Sequence, residues 1–227
     1  MGKRYGLIFD VDGVIADTES VNRRISIQTL EGLFGLHGVR AGDFAAGLGR
    51  GAEEYVKAGA RAHGLELTPE QVRQAVKRRE ELFLEVLETE PLPAYPGVLE
   101  LIGAALADDT FAVAIATSGT LTKSRAALEA AKVPYTKMVY VNGNDVTHKK
   151  PDPELFQVAA DRMGLAPQRC VVIEDAPNGV QAAKAAGARC IAVTNTTPAE
   201  ELAQADMICD SVQSVTLETL SNMVDSE

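Results

Sequence analysis

Side chains that can bind a metal ion follow two apolar segments of this 227-residue sequence. Asp10 and Asp12 follow the first segment, and Glu174 and Asp175 follow a later one. Carboxylates held close together repel one another, and a divalent cation offsets that repulsion. Oxygen ligands suit Mg²⁺, which takes one or two carboxylates together with waters and phosphate oxygens. The pattern therefore predicts a magnesium site among these carboxylates.

The same region has the residue types needed for phosphoryl transfer. A carboxylate can attack phosphorus and form an aspartyl phosphate. Asp10 and Asp12 are two residues apart, so an extended strand would place both on one face, where one can attack while the other handles the leaving-group proton. Lys150 and the first amides of a helix after Pro153 could hold a phosphate, and Thr117 could donate a hydroxyl to it.

Short apolar runs rich in Val and Ile predict the strands that must position these residues. They lie at residues 5–9, 111–116, 138–141, 170–173 and 190–193. Stretches of helical periodicity lie between most of them, at residues 97–106, 122–131, 154–163 and 180–186. This alternation predicts an α/β fold with a doubly wound parallel sheet. Ligands of such sheets bind beyond the carboxyl ends of the strands, where the candidate residues would converge.

The stretch from 19 to 91 has no good strand candidate and has the periodicity of helices at residues 21–33, 52–62 and 69–87. An all-helical block between the first and second strands is most simply an inserted domain. Its Pro-rich exit at residues 90–97 is typical of a stiff linker. We therefore expect a core domain of residues 1–18 and 92–227 and a helical cap domain of residues 19–91.

Composition excludes several classes of partner. The formal net charge of −10 argues against nucleic acid and against an anionic membrane surface, because both are held by clustered Lys and Arg. No apolar run reaches the roughly 20 residues that span a bilayer. The N-terminus lacks the layout of a signal peptide, so we expect a cytoplasmic protein. The three cysteines are expected as small buried hydrophobic residues and the three histidines as surface residues.

Residues 9–19 (FDVDGVIADTE) resemble the first motif of the haloacid dehalogenase superfamily, in the branch that contains β-phosphoglucomutase and small-molecule phosphatases. Thr117 matches the second motif, Lys150 with the following Pro-Asp-Pro the third, and Glu174-Asp175 the fourth. Each motif alone is weak to moderate. All four in order, each at a predicted strand end, make a strong resemblance that covers essentially the whole chain.

The resemblance implies a role for each matched residue. Asp10 would be the nucleophile and a metal ligand, and Asp12 the general acid and base, with its backbone carbonyl on the metal. Thr117 would bind the transferred phosphoryl group, with Ser118 beside it as a substrate-binding candidate, and Lys150 would neutralise the nucleophile and the phosphate. Asp175 would ligate Mg²⁺, and Glu174 would do so directly or through water. An acid at the second Asp position points to phosphate esters, whose leaving alkoxide needs a proton.

Two arginines of the helical block are candidates for substrate selection. Arg50 lies in the Gly-rich segment 47–51, which resembles the specificity loop of β-phosphoglucomutase-like caps, and Arg79 matches a basic cap position of the same group. Two departures stand out. Asn22 occupies a position where the mutase group has His, which favours a phosphatase. Lys149 precedes Lys150 at a position where the family usually has Gly. Either lysine could therefore be the one that reaches the site, and we prefer Lys150.

Each motif also has a purely structural explanation. Thr117 or Ser118 alone could be a helix N-cap, Glu174-Asp175 could favour a helix N-terminus, and the basic run ending at Arg79 could be a charged helix face. Taken together, the motifs predict a Mg²⁺-dependent hydrolase of small phosphate monoesters, with sugar phosphates favoured. The alternatives are a phosphosugar mutase and a non-catalytic protein that binds sugar phosphates.

Overall fold

The computed structural model of the chain describes residues 2–48 and 50–226. Within these residues six parallel strands form one sheet in the order β3-β2-β1-β4-β5-β6. The strands are β1 (Tyr5–Phe9), β2 (Phe111–Ala116), β3 (Val139–Val141), β4 (Cys170–Glu174), β5 (Arg189–Val193) and β6 (Met207–Cys209). The predicted α/β fold with a doubly wound parallel sheet is thereby confirmed.

Helices connect the strands and form the block inserted after β1. They are α1 (Thr18–Phe34), α2 (Ala52–Ala62), α3 (Pro69–Thr89), α4 (Val98–Ala107), α5 (Leu121–Ala130), α6 (Glu154–Arg162), α7 (Pro177–Ala186) and α8 (Leu217–Asp225). A 3₁₀ segment, Ala41–Gly47, lies between α1 and α2. Among residues 2–48 and 50–226 we find no helix with the length and apolarity needed to cross a membrane.

The central strand β1 is buried along its whole length, because helices cover both faces of the sheet. Successive side chains of a strand point to opposite faces, so Leu7 and Phe9 pack in one apolar layer and Ile8 in the other. Both layers continue on the neighbouring strands. Because both faces are covered, the strands consist of near-continuous apolar residues. The carboxyl ends of the strands are not covered in this way, so side chains that follow them can face a cleft.

The helical block forms an inserted cap with an apolar cluster of its own, which includes Leu30, Phe44, Tyr55 and Val56. The chain leaves and re-enters the core side by side, through an isolated antiparallel bridge between Ala16 and Ala94. The inserted helical cap is confirmed, whereas its boundaries at residues 19 and 91 stay a prediction.

Two elements near the C-terminus were not predicted from the sequence. Strand β6 has only three residues, and none of them is fully buried, so its pattern is too short and too mixed to stand out. Helix α8 has one fully buried residue, Leu220. Strand β6 pairs with β5 at the edge of the sheet, and helix α8 packs against the central strands β1 and β4. The cysteines largely match expectation, because Cys170 and Cys190 are buried and Cys209 is half-buried.

Candidate active site

Lys150 joins two of the carboxylates beyond the carboxyl ends of β1 and β4. Its Nζ lies 2.6 Å from Oδ1 of Asp10 and 2.5 Å from Oε1 of Glu174. All three side chains are buried. The two carboxylates hold the pKa of Lys150 above its usual range in spite of burial, so the lysine is a fixed positive charge at the end of the sheet.

Asp175 completes a buried group of three acids. One carboxylate oxygen from each of Asp10, Glu174 and Asp175 lies within 4.8 Å of the others. Burial raises the pKa of Asp10 to about 7, and Glu174 adds to that rise while Lys150 opposes it. Burial and the neighbouring acids also raise the pKa of Asp175 well above its usual range. The protein alone supplies too little positive charge for these acids, and the oxygen donor set fits a Mg²⁺ ion.

Two glycines allow the acids to approach the backbone this closely. Gly13 has φ +77°, and a Cβ there would overlap a carboxylate oxygen of Asp175. A Cβ on Gly179 would overlap the carboxylate of Glu174. The Glu174 carboxylate is further held by the backbone N–H groups of Asp175 and Ala176, at 2.8 and 3.0 Å from Oε2. The site is therefore built partly by backbone that only glycine permits.

Asp12 lies in the same cleft and receives its hydrogen bonds on one oxygen. Oδ1 accepts from Nζ of Lys123 at 2.8 Å, from Nδ2 of Asn22 at 3.4 Å and from the hydroxyl of Thr18. Burial alone would raise the pKa of Asp12, but Lys123 and these hydrogen bonds outweigh it and lower that pKa.

Lys123 is a site residue that the sequence reasoning missed. It lies on the first turn of α5, the helix that begins just beyond the end of β2, and its Nζ lies 5.2 Å from the ring centre of Phe83 on cap helix α3. The sequence signal that could have identified Lys123 was its position on the first turn of a helix that begins just after the carboxyl end of a strand. A lysine there is usually solvated, and only the fold brings it to Asp12.

Replacing Lys123 with methionine is expected to raise the pKa of Asp12, because the substitution removes the cation that opposes the effect of burial. A ¹³C-carboxyl NMR titration of selectively labelled protein measures this directly. Lys77→Met, at a highly exposed lysine of α3, is the matched control and should leave the Asp12 titration unchanged. An Asp12 titration that did not move in Lys123→Met would contradict the electrostatic role given to Lys123.

The other candidates at the sheet edge differ in position. Thr117 is fully buried at the end of β2, and its Oγ1 accepts from the N–H of Gly119 at 3.0 Å. Ser118 lines the cleft. Lys149 is half-buried and donates to the carbonyl of Gly143, away from the acids. Of the two adjacent lysines, Lys150 is the one whose ammonium group reaches Asp10.

The cap covers these residues. The cleft between the cap and the core has a volume of about 800 Å³, and part of that volume is open to solvent. Its cap-side wall consists mainly of Glu19, Asn22, Ile25, Tyr55, Val76, Arg79 and Glu80. Arg79 is buried, with Nε 2.7 Å from the hydroxyl of Ser26 and its guanidinium 4.9 Å from the ring centre of Tyr55. The structure thus brings Arg79 into the cleft.

Arg50 does not join the cleft in this arrangement. Its side chain is exposed, and it is not among the residues that line the cleft, although its neighbours Gly47, Leu48 and Gly51 are. Gly49, the central glycine of the predicted specificity loop, lies outside the described residues. A part for Arg50 in substrate selection stays a prediction.

Comparison with known proteins agrees with this architecture. Residues 6–187 match the family model of haloacid dehalogenase-like hydrolases. The chain is 33% identical over 220 residues to Protein SUPPRESSOR OF QUENCHING 1, chloroplastic, from Arabidopsis thaliana, covering 95% of this chain but only 20% of that protein. It is also 33% identical over 190 residues to fructose-1-phosphate phosphatase YqaB from Escherichia coli, covering 82% of this chain and 95% of that one.

A solved structure shows the same fold over nearly the whole length. A variant of CbbY from Rhodobacter sphaeroides, in complex with xylulose 1,5-bisphosphate, superposes with a TM-score of 0.83 at 29% identity, covering 95% of this chain and 98% of that one. The family model spans most of the chain, and the relatives include named sugar-phosphate phosphatases. The chain therefore belongs to the haloacid dehalogenase-like hydrolase family, in the branch of the small-molecule phosphatases.

Proposed function

We propose that this protein hydrolyses small phosphate monoesters, with sugar phosphates as the favoured class, through a covalent phosphate on Asp10 and with Mg²⁺ as cofactor. The observation that carries the proposal is the buried set of Asp10, Glu174, Asp175 and Lys150, which opens into a cap-covered cleft shared with Asp12. One relative, which the chain matches over 95% of that relative's length, is named as a fructose-1-phosphate phosphatase, and this supports the substrate class.

The proposed first step forms the covalent phosphate. A carboxylate oxygen of Asp10 attacks phosphorus, and the bond from phosphorus to the alcohol oxygen breaks. The negative charge of the bound phosphate ester raises the pKa of Asp12, so Asp12 is protonated in the substrate complex and gives that proton to the departing alkoxide. Lys150 lies against Asp10 and stabilises the negative charge on the transferred group. Mg²⁺, held by Asp10, Asp175 and either Glu174 or a water on it, would supply further positive charge to the phosphate oxygens.

The second step returns the enzyme to its starting state. Asp12 accepts a proton from water, and the hydroxide oxygen attacks phosphorus and displaces the carboxylate of Asp10. Because Thr18, Asn22 and Lys123 all donate to Oδ1 of Asp12, Oδ2 is the oxygen that gives and takes the proton in both steps. Buried Thr117 is proposed to bind the phosphoryl group, and the cap limits the access of bulk water.

Two alternatives make different predictions. A phosphosugar mutase would convert glucose 1-phosphate plus the bisphosphate into glucose 6-phosphate without releasing inorganic phosphate. Asn22 at the position of the mutase histidine argues for the phosphatase. A non-catalytic binder of sugar phosphates would have no need of Asp12, so the presence of Asp12 argues for an enzyme. If phosphate release were unchanged in Asp12→Ala, the role proposed for Asp12 would be wrong. A cytoplasmic location is part of the proposal, and cell fractionation tests it.

Phosphate release is expected to depend on Mg²⁺. Chelation with EDTA should lower the rate roughly 10³-fold, since a metal ion contributes several kcal/mol of charge stabilisation in such reactions. Excess Mg²⁺ should restore the rate. The measurement is a phosphate-release screen of sugar phosphates, phosphoglycolate and nucleotides, with and without the metal. Full activity in EDTA on any good substrate would contradict the proposed metal site.

A further inference from the structure

The turn that follows β5 contacts the candidate metal site from the side of the core. It consists of residues 194–197. Asn195 donates from Nδ2 to the carbonyl of Gly13 at 2.8 Å. The hydroxyl of Thr196 donates to Oδ2 of Asp175. This one turn therefore holds both the loop after β1 and one of the buried acids.

The edge of the sheet fixes the position of this turn. The backbone N–H of Thr194 donates to the carbonyl of Cys209 at 3.1 Å. Cys209 is the last residue of β6, the edge strand that pairs with β5. Farther along the turn, Thr197 is buried. The hydroxyl of Thr196 thus approaches Asp175 from a segment that backbone hydrogen bonds and burial hold in place.

The carboxylate of Asp175 has one oxygen committed to contacts within the protein. Oδ2 accepts from Thr196, and it lies against Gly13, where a Cβ would overlap it. These contacts leave Oδ1 as the oxygen that can bind a metal ion. Asp10 is constrained in a similar way, because its Oδ1 accepts from Nζ of Lys150 at 2.6 Å. Each of the two acids therefore presents one oxygen to the site.

Mg²⁺ and Ca²⁺ differ in what they require of such a carboxylate. Mg²⁺ is small and demands near-ideal octahedral geometry, whereas Ca²⁺ takes more ligands in flexible geometry and often binds both oxygens of one carboxylate. An Asp175 that offers a single oxygen in a fixed orientation suits Mg²⁺ and denies Ca²⁺ a second bond. The hydroxyl of Thr196 is in a position to enforce this difference.

We infer that Thr196 is a positioning residue of the metal site, which holds Asp175 as a one-oxygen ligand and thereby favours Mg²⁺ over Ca²⁺. This inference rests on the proposed Mg²⁺-dependent function and adds a residue outside the four matched motifs. Thr196 is not among the residues that line the cleft, so it acts through Asp175 and not on the substrate. Hydrogen bonds to a ligating carboxylate orient it, and losing one typically weakens metal binding roughly 10- to 100-fold.

Competition with Mn²⁺ measures the affinity of the site for both cations in the absence of substrate. EPR follows the signal of free Mn²⁺ while MgCl₂ or CaCl₂ displaces the bound ion, and Asp175→Asn identifies the Mn²⁺ that is bound at this site. Thr196→Val keeps the shape of the side chain and removes the hydroxyl, so Mg²⁺ should bind roughly 10-fold more weakly. Ca²⁺ should lose less, because the released Oδ2 can form a second bond to it. The ratio of the Kd for Ca²⁺ to the Kd for Mg²⁺ should therefore fall at least about threefold.

Two further variants separate the hydroxyl from a general disturbance of the turn. Thr196→Ser retains the hydroxyl and should restore the ratio of the two Kd values. Thr194→Val removes a hydroxyl that contacts Asp210 at the edge of the sheet, keeps the backbone hydrogen bond of that residue, and should leave both affinities unchanged. A distorted turn would weaken the binding of both cations by the same factor and would not move the ratio.

The outcomes distinguish this inference from the function on which it rests. A Kd ratio in Thr196→Val equal to that of the wild type would overturn the role of Thr196 and leave the phosphatase in place. If the wild-type protein bound no more Mn²⁺ than Asp175→Asn, the proposed metal site would be wrong, and the inference would fail with it.

Discussion

Asp10→Asn is expected to lower phosphate release roughly 10⁴-fold or more, because the amide cannot form the covalent phosphate and no other carboxylate takes over an attack that depends on position. Steady-state phosphate release at saturating Mg²⁺ measures the loss. The variant should still fold, since burial raises the pKa of Asp10 to about 7 in the metal-free protein, which means that the negative charge there is itself costly. Thermal unfolding checks this.

Trapping the phosphoryl group gives a second measurement on the same residue. Wild-type protein incubated with Mg²⁺ and beryllium fluoride should bind one fluoride complex, which ¹⁹F NMR detects, and Asp10→Asn should bind none. Asp109→Asn, at an exposed aspartate before β2, is the matched control and should behave as the wild type in both assays. Trapping that persisted in Asp10→Asn would place the nucleophile elsewhere and refute the mechanism.

Lys150→Met is expected to impair both stability and activity. It leaves Asp10 and Glu174 buried without the ammonium group that lies within 2.6 Å of each. Removing one member of a buried ion pair costs about 3–5 kcal/mol in the free energy of unfolding. Urea denaturation measures this loss, and added Mg²⁺ should recover part of it, because the cation compensates the same acids. Phosphate release should fall roughly 10²- to 10³-fold, as when one electrostatic donor to a transition state is removed.

Lys149→Met provides a control from the adjacent residue. Lys149 is half-buried and donates to the carbonyl of Gly143, so its loss should cost about 1 kcal/mol and leave the metal dependence of unfolding unchanged. If the two variants had equal effects on stability, or if Lys149→Met abolished activity while Lys150→Met did not, the choice of Lys150 as the site lysine would be wrong.

Much of the fold could be predicted from the sequence because its elements carry strong local signals. The apolar runs at residues 5–9 and 111–116 coincide with β1 and β2, and residues 52–62 coincide with α2. A strand buried on both faces must be apolar throughout, so its pattern is legible without any knowledge of its neighbours. Strand β6 lacked that signal, because it is short and lies at the edge of the sheet, where burial is incomplete.

The sequence by itself determined the acids, the hydroxyls and the lysine that follow the strands, and the topology of parallel sheets was enough to expect them at one edge. It did not determine which oxygen of Asp12 accepts the hydrogen bonds or that the ammonium group beside Asp12 belongs to Lys123. It also did not determine that Oδ1 of Asn22 is buried without a hydrogen-bond donor among the described residues. Those features join residues from α1, α5 and the loop after β1. Only tertiary packing sets distances between such separate segments, because no local pattern in the chain encodes them.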